Sequence, residues 1–503
     1  MEGSRPQWGT RVGFIFAAVG SAVGLGNIWR FPGVAYENGG GAFLIPYLFA
    51  ILTAGIPILI LEFTLGQKYR GSAPLVFARL GRKYEWLGWV QVAISFVICT
   101  YYAVIVAWAS VFAYLSFGQK WGDDPNSYFF GEFLQLGEVG EVGSIVPHVF
   151  FPLAIIWIVA LTILYKGVRK GIEISNKIFI PALIFLFLII VIRSVTLEGA
   201  MDGLNALFTP NWGELTNPSI WVAAYSQIFF SLSVAFAIMV TYASYLPKKT
   251  DITNNAFITA FANSGVELLA GIGVFAALGF MANQTNVPID EVVSKGIGLA
   301  FVVFPQIINE FPAFNGLLGS AFFICLVLAG LTSLISIIET FVAAICDKFH
   351  VSRNKSVLFG GGLAACISLI YSTQGGLYFL DVVDYFINNF GIVISGLLEL
   401  AIVIWILNKT KELKMHANSM SDIQLRSWWD ICLKFITPLI LGYMTIQIFI
   451  TNFTSNYEGY PTSFLVKFGW LVLLIAIVLS VVLSQLKWKD TKIENYDFEK
   501  EVG

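Results

Sequence analysis

An all-α polytopic membrane protein with twelve transmembrane helices is the fold this sequence predicts, and three observations predict it. Of its 503 residues, 57% are hydrophobic and only 12% are charged, a balance foreign to soluble domains. Twelve apolar runs, each near the ~20 residues that cross a bilayer, fall at about 12–36, 41–67, 88–117, 149–165, 176–194, 220–246, 255–281, 316–346, 356–372, 377–407, 431–452 and 465–486. The basic residues between those runs collect on one side.

The first run carries the most unusual stretch, Gly20-Ser-Ala-Val-Gly-Leu-Gly-Asn-Ile-Trp-Arg-Phe-Pro32. A spanning helix pairs its backbone internally because hydrocarbon supplies no partners. Gly24 and Gly26 weaken that helix, and Pro32 lacks a donor. Asn27 and Arg30 add an amide and a charge at membrane depth. Broken backbone with polar side chains is tolerated where it lines an enclosed cavity, so the stretch reads as a binding site. The competing reading is a close helix contact, because Gly20 and Gly24 form a small-xxx-small pair. Pro57 and Pro181 place further breakers in the second and fifth runs.

Orientation follows from the joints. Lys68/Arg70/Arg79/Arg82/Lys83, Lys166/Arg169/Lys170/Lys177, Lys248/Lys249, Lys348/Arg353/Lys355, Lys409/Lys411/Lys414/Arg426 and Lys487/Lys489/Lys492 share one side. Opposite them stand Lys120, Arg193, Lys295 and Lys467, among many acids that include Asp290. Both termini are therefore expected in the cytoplasm, as an even number of spans also requires. The loops at about 118–148 and 282–315 are long enough to carry short covering helices, and the charged tail after Ser484 reads as disordered.

Several function classes drop out. A net charge of −2 gives no basic field for nucleic acid. The five cysteines avoid the long outer loops, so no disulfide framework is expected. His148, His350 and His416 lack metal spacing, and no nucleophile motif or phosphate loop occurs, so the chain does not read as an enzyme.

Polar residues within the apolar runs carry the functional signal: Glu62, Gln227, Asn263, Glu267, Glu339 and Glu399. For Glu62 and Glu399 the favoured reading is structural, as carboxylates that accept N–H groups freed by a broken helix. Asn263 and Glu267 share one helix face, as do Gln227 and Ser231. With Phe229-Phe-Ser-Leu-Ser-Val-Ala-Phe236 and Ala329-Gly-Leu-Thr-Ser333 they supply amides and hydroxyls for an ion-sized polar pocket. Hard monovalent cations favour such neutral oxygens, although an isolated Ser or Thr in a helix usually bonds back to its own backbone.

Asn27-Ile-Trp-Arg-Phe-Pro32, Glu37-Asn-Gly-Gly-Gly-Ala-Phe43, Ser226-Gln-Ile-Phe-Phe-Ser-Leu-Ser233, Thr241-Tyr-Ala-Ser-Tyr245 and Ala329-Gly-Leu-Thr-Ser333 resemble the neurotransmitter:sodium symporters, most nearly the bacterial amino-acid branch of the leucine-transporter type. The resemblance covers essentially the whole chain. It implies a 5+5 inverted repeat with broken first and sixth helices, plus two further helices. The transport core would be residues 1–407, followed by two helices and a charged cytoplasmic tail over 408–503.

The resemblance also implies a site. Two sodium ions would bind, one to the Ala22 carbonyl, Asn27, Ser231, Asn263 and the substrate carboxylate. The other would meet the carbonyls of Gly20, Val23 and Ala329 and the hydroxyls of Thr332 and Ser333. The substrate carboxylate would reach N–H groups near Leu25 and Gly26 together with Tyr102. Its amine would face the carbonyls of Ala22, Phe230 and Ser231 and the Ser233 hydroxyl. Ile98, Phe230, Phe236, Ser333 and Ile337 would hold the side chain, and Gly24 stands where monoamine carriers place an aspartate. Ala235 and Ala237 replace the glycines of many relatives, and their methyls are expected to stiffen the break. Arg30 with Asp384 would form the outer gate. Arg5 with Asp347 would form the inner gate, with Trp8 beneath and Tyr245 near Glu339, a carboxylate that would make this gate pH-sensitive. Glu267 stands where chloride-dependent relatives carry a serine, so it would replace chloride and carry a proton on the return step.

The implied activity is sodium-coupled uptake of a neutral L-amino acid by alternating access, without chloride, in the bacterial inner membrane. The alternative is a sodium-dependent amino-acid sensor or a ligand-gated conductor on the same fold. Nothing in the sequence fixes the oligomeric state.

Overall fold

The computed structural model describes residues 5–247, 249–293, 296–489 and 493; Lys248, Lys295 and Lys492 of the charge pattern, and the Asp290 side chain, lie outside the described residues. The described chain is helical apart from two isolated bridges, Gly40 with Pro210 and Ile145 with Thr373. The first apolar run is not one helix but three short pieces, α1 (Arg11–Ala22), α2 (Leu25–Trp29) and α3 (Phe31–Glu37). The long helices α4 (Gly41–Tyr69), α5 (Arg82–Leu115), α6 (Pro147–Tyr165) and α7 (Val168–Val195) follow. The sixth run is also interrupted, into α8 (Pro218–Ser231) and α9 (Ile238–Ala243). The chain continues through α10 (Ile252–Thr285), α11 (Asn315–Phe349), α12 (Arg353–Ser372), α13 (Gly376–Ile406), α14 (Ser427–Gly459) and α15 (Thr462–Gln485). Ten helices among the described residues are long and apolar enough to cross a membrane, and the two interrupted runs account for the other expected spans. Both long loops carry short helices, such as Gly296–Glu310.

Burial separates core from rim. The spanning windows of α4, α5, α10 and α11 are more than 70% buried, whereas those of α14 and α15 are 28% buried. The first group encloses the broken helices, and the last two helices stand at the edge with apolar side chains turned outward. Their outward surface suits hydrocarbon, where exposed Leu and Ile carry no solvation cost.

Pro57 shows how a breaker is absorbed. Its missing N–H frees the carbonyl four residues earlier, at Thr53, and the Thr437 hydroxyl of α14 donates to that oxygen at 2.8 Å. A π-turn over Ile51–Gly55 takes up the geometry. The Trp429 indole donates to the Pro57 carbonyl at 3.0 Å. Together these bonds fix α14 to the inner half of α4.

Between α13 and α14, the helix Thr410–Asn418 places His416 against Gln67, 3.1 Å from its Oε1. Burial, and then the nearby Lys68 charge, lower the His416 pKa from 6.5 to about 4. The unfolded chain therefore binds a proton that the folded chain refuses between those values, so stability is full above 6.5 and falls as pH drops toward 4. Lowering pH from about 7.5 to about 5 should reduce the thermal unfolding midpoint in detergent more for wild type than for H416Q. Equal reductions would contradict this.

Candidate functional site

Two interruptions face each other at the centre, and each must satisfy the backbone groups it frees. At the first, Val23 leaves helical geometry and Gly24 is extended, with φ −111° and ψ −170°. The freed Gly24 N–H donates to Asn27 Oδ1 at 2.9 Å, and the Leu25 N–H donates to the Tyr102 hydroxyl at 3.2 Å. At the second, Ser233, Ala235 and Ala237 have φ of +54°, +69° and +71°. Left-handed backbone costs an L-residue about 1–2 kcal/mol, so three such residues need support. Glu62 Oε1 accepts the Ala235 N–H at 2.6 Å. Ser95 donates to the Phe236 carbonyl at 2.6 Å, and Ser233 donates to the Ser21 carbonyl at 2.9 Å. The alanine methyls were expected to stiffen this break, yet it is fully unwound, because α1, α4 and α5 supply those bonds.

Glu62 thus caps freed backbone. Glu399 differs from the reading given to it: it accepts from the Gln91 amide at 2.7 Å and bonds no N–H of a broken helix.

Neutral oxygens cluster beside the breaks. Asn27 Nδ2 donates to Asn263 Oδ1 at 2.8 Å, and the Asn263 amide donates to Ser231. Nearby, Thr332 donates to the Ala329 carbonyl at 2.9 Å. Ser333 reaches the carbonyls of Ser21 at 3.2 Å and Gly20 at 3.5 Å. Ala22 and Val23 lie between these groups in the first interruption. The amides and hydroxyls are bonded to one another, so an entering cation would exchange those bonds for its own coordination. This donor set suits sodium: neutral, oxygen-only and buried. Ser21 and Ser336, whose hydroxyls lie 2.8 Å apart, join the same region. Sequence reasoning missed both, although Ser336 follows Ser333 by nearly one turn.

Gly24 packs closely beneath two hydroxyls. A Cβ there would lie 3.1 Å from both Tyr102 Oη and Ser333 Oγ. Gly26 meets the Phe230 ring so closely that a Cβ would lie 2.3 Å from it. The Arg30 guanidinium lies over that ring, 4.5 Å from its centroid. Ile98, Phe236 and Ile337 are buried apolar residues carried by α5, the second interruption and α11.

Glu267 is fully buried on α10, where the Tyr47 hydroxyl and the Gln227 amide, the latter at 2.6 Å, both donate to it. These donors form a compact anion-sized shell around one carboxylate.

Side chains interlock at the end of the bundle that carries Arg5 and Trp8. Arg5 forms two bonds to Asp347, at 2.8 and 3.0 Å, and a third to Ser244 at 3.0 Å. The Trp8 indole donates to the Tyr242 carbonyl, and the Trp8 N–H donates to Tyr245. The Tyr245 hydroxyl donates to Glu339 at 2.7 Å. Glu339 is also gripped by Arg353 through two bonds of 2.7 and 2.6 Å. Arg353 lies on another helix, and sequence spacing gave no signal for the pairing. The outer pair is not closed. Among the described residues Arg30 and Asp384 form no ion pair, and Asp384 accepts from Asn388 at 2.7 Å. Arg5 and Asp347 are thus paired while Arg30 and Asp384 stand apart.

A family model described as the sodium:neurotransmitter symporter family matches residues 5–126 and 120–491. The chain belongs to that family. An uncharacterized sodium-dependent transporter of Methanocaldococcus jannaschii is 43% identical, over 96% of this chain and 98% of its own length. The Xenopus laevis sodium- and chloride-dependent glycine transporter 2 is 30% identical, over 94% of this chain and 68% of its own. Among solved structures, MhsT in complex with L-phenylalanine matches with a TM-score of 0.75 and 33% identity, covering 88% of this chain and 99% of MhsT. Family membership makes this chain a sodium-dependent membrane transporter, with the helical fold of MhsT.

The Glu62 cap gives a direct test of the second interruption. Glu62→Ala leaves the Ala235 N–H unpaired and should lower unfolding stability by about 1–3 kcal/mol, read from thermal denaturation in detergent. A loss near zero would show that the interruption is held without this carboxylate.

Proposed function

We propose that this symporter takes up a neutral L-amino acid, driven by two sodium ions and independent of chloride. The observation that carries the proposal is the array of buried neutral oxygens at two facing helix interruptions, with Arg5 paired to Asp347. One ion would lie among Ala22, Asn27, Ser231 and Asn263, the other among Gly20, Val23, Ala329, Thr332 and Ser333. The substrate carboxylate would accept from Tyr102 and the N–H groups near Leu25 and Gly26, and complete the first ion's shell. The Ser233 hydroxyl and the carbonyls of Ala22, Phe230 and Ser231 would take the amine. A charged side chain is disfavoured beside Ile98, Phe236 and Ile337, where its desolvation finds no compensating partner. Coupling is then reciprocal, because each ligand raises the affinity of the other.

Chloride independence rests on Glu267. Its carboxylate sits where Tyr47 and Gln227 donate, so the negative charge is built into the chain. Neutralising that charge by protonation while the sodium sites are empty would give proton counter-transport. The cell membrane with cytoplasmic termini is the location that the lysine and arginine asymmetry supports, and it makes the Arg5–Asp347 end the inner one.

The test is uptake of a labelled neutral amino-acid panel into proteoliposomes with sodium and chloride varied separately. Wild type should require sodium and ignore chloride, whereas Glu267→Ser should acquire chloride dependence. Chloride-free transport by Glu267→Ser at the wild-type rate would overturn the Glu267 assignment, and uptake without sodium would overturn the ion sites.

A further inference from the structure

A large groove lies away from the two helix interruptions. It encloses about 1140 Å³ between α4, α8, α13 and α14. Its walls include Phe49, Trp221, Tyr225, Trp405, Leu439 and Tyr443, and almost all of its surface is apolar. Phe49, Trp405, Leu439 and Tyr443 are exposed, so the groove opens sideways from the bundle rather than inward. At spanning depth that side is the bilayer, which makes a lipid the occupant with direct access.

One charged side chain lines the groove. Lys434 lies seven residues along α14 from Ser427, about 10 Å up the helix at 1.5 Å per residue, near its cytoplasmic end. Its side chain makes no hydrogen bond or ion pair among the described residues. Asp430, one turn away, is held by Lys414 instead. The Trp405 indole donates to the Lys434 carbonyl at 3.0 Å, placing an aromatic ring at the same level. A lysine and a tryptophan at the cytoplasmic mouth of an apolar groove match a lipid with an anionic headgroup and acyl tails.

We propose that the groove binds one anionic phospholipid, its phosphate at Lys434 and its tails along α8 and α14. The site would reach transport through α8, whose inner end carries Gln227, Phe230 and Ser231. The Tyr225 hydroxyl of α8 is bonded to Thr53 at 2.5 Å, so a lipid there bears on the contact between α8 and α4.

Gly442 provides a clean probe, since a Cβ there meets nothing within 4 Å. Gly442→Phe would therefore grow into the groove without displacing protein atoms. Native mass spectrometry of the full chain, titrated with phosphatidylglycerol or phosphatidylcholine, should show one retained phosphatidylglycerol in wild type. G442F should lose it, and K434Q should lower the preference for phosphatidylglycerol by about fivefold. A single monodisperse elution peak and an unchanged helical circular-dichroism spectrum in detergent serve as the folding control for both variants. Unchanged lipid retention in G442F, or equal retention of the two lipids by wild type, would overturn the proposal. So would conversion of a dimer to a monomer by G442F without lipid loss, because the groove would then be a contact between copies.

Discussion

Hydrocarbon offers no hydrogen bonds, and the centre of this protein depends on that constraint. Two helices are interrupted within apolar runs, and side chains of neighbouring helices bond backbone groups that the interruptions free. Ser233 of one interruption reaches the Ser21 carbonyl beside the other, while Glu62, Ser95, Asn27 and Tyr102 serve the remaining freed groups. Buried polar groups must be paired or their desolvation becomes a full penalty. The interruptions are therefore tied to each other and to α4 and α5, so that movement of one alters the pairing at the other.

On the proposed reading, the same constraint would let a bound cation control conformation. The amides of Asn27 and Asn263 and the hydroxyl of Ser231 form a chain of hydrogen bonds. A cation entering that chain must replace each bond it breaks, and so reorganises groups on α2, α8 and α10 together. On the proposed reading, Arg5–Asp347 and Arg30–Asp384 would serve as alternatives. One is made here while the other is not. Phe230, which meets Gly26 and Arg30, links the first interruption to the outer pair.

Much of this was legible in the sequence because membrane constraints are strict. Gly24, Asn27, Arg30 and Pro32 inside one apolar run announced the first interruption, and Asn263 with Glu267 announced a polar face on α10. The second interruption was harder. Ala235 and Ala237 oppose unwinding locally, and only the carboxylate of Glu62, 173 positions away, shows why the backbone yields. Contacts of that range leave no periodic trace. For the same reason Arg353 beside Glu339, Gln91 beside Glu399 and Thr437 on the carbonyl freed by Pro57 were invisible until the helices were packed. The outer pair was legible as a pair of residues, but its open state belongs to the conformation and not to the sequence.

The central claim is that ion and substrate share one shell at the two interruptions. The most direct measurement is equilibrium binding of a labelled neutral amino acid to the purified protein across a sodium titration, with the converse titration of sodium at fixed amino acid. Linkage requires that sodium raise amino-acid affinity and that the amino acid raise sodium affinity by the same factor. Amino-acid affinity that is unchanged between sodium-free and sodium-saturated protein would contradict the account, because it would place ion and substrate in separate, uncoupled sites.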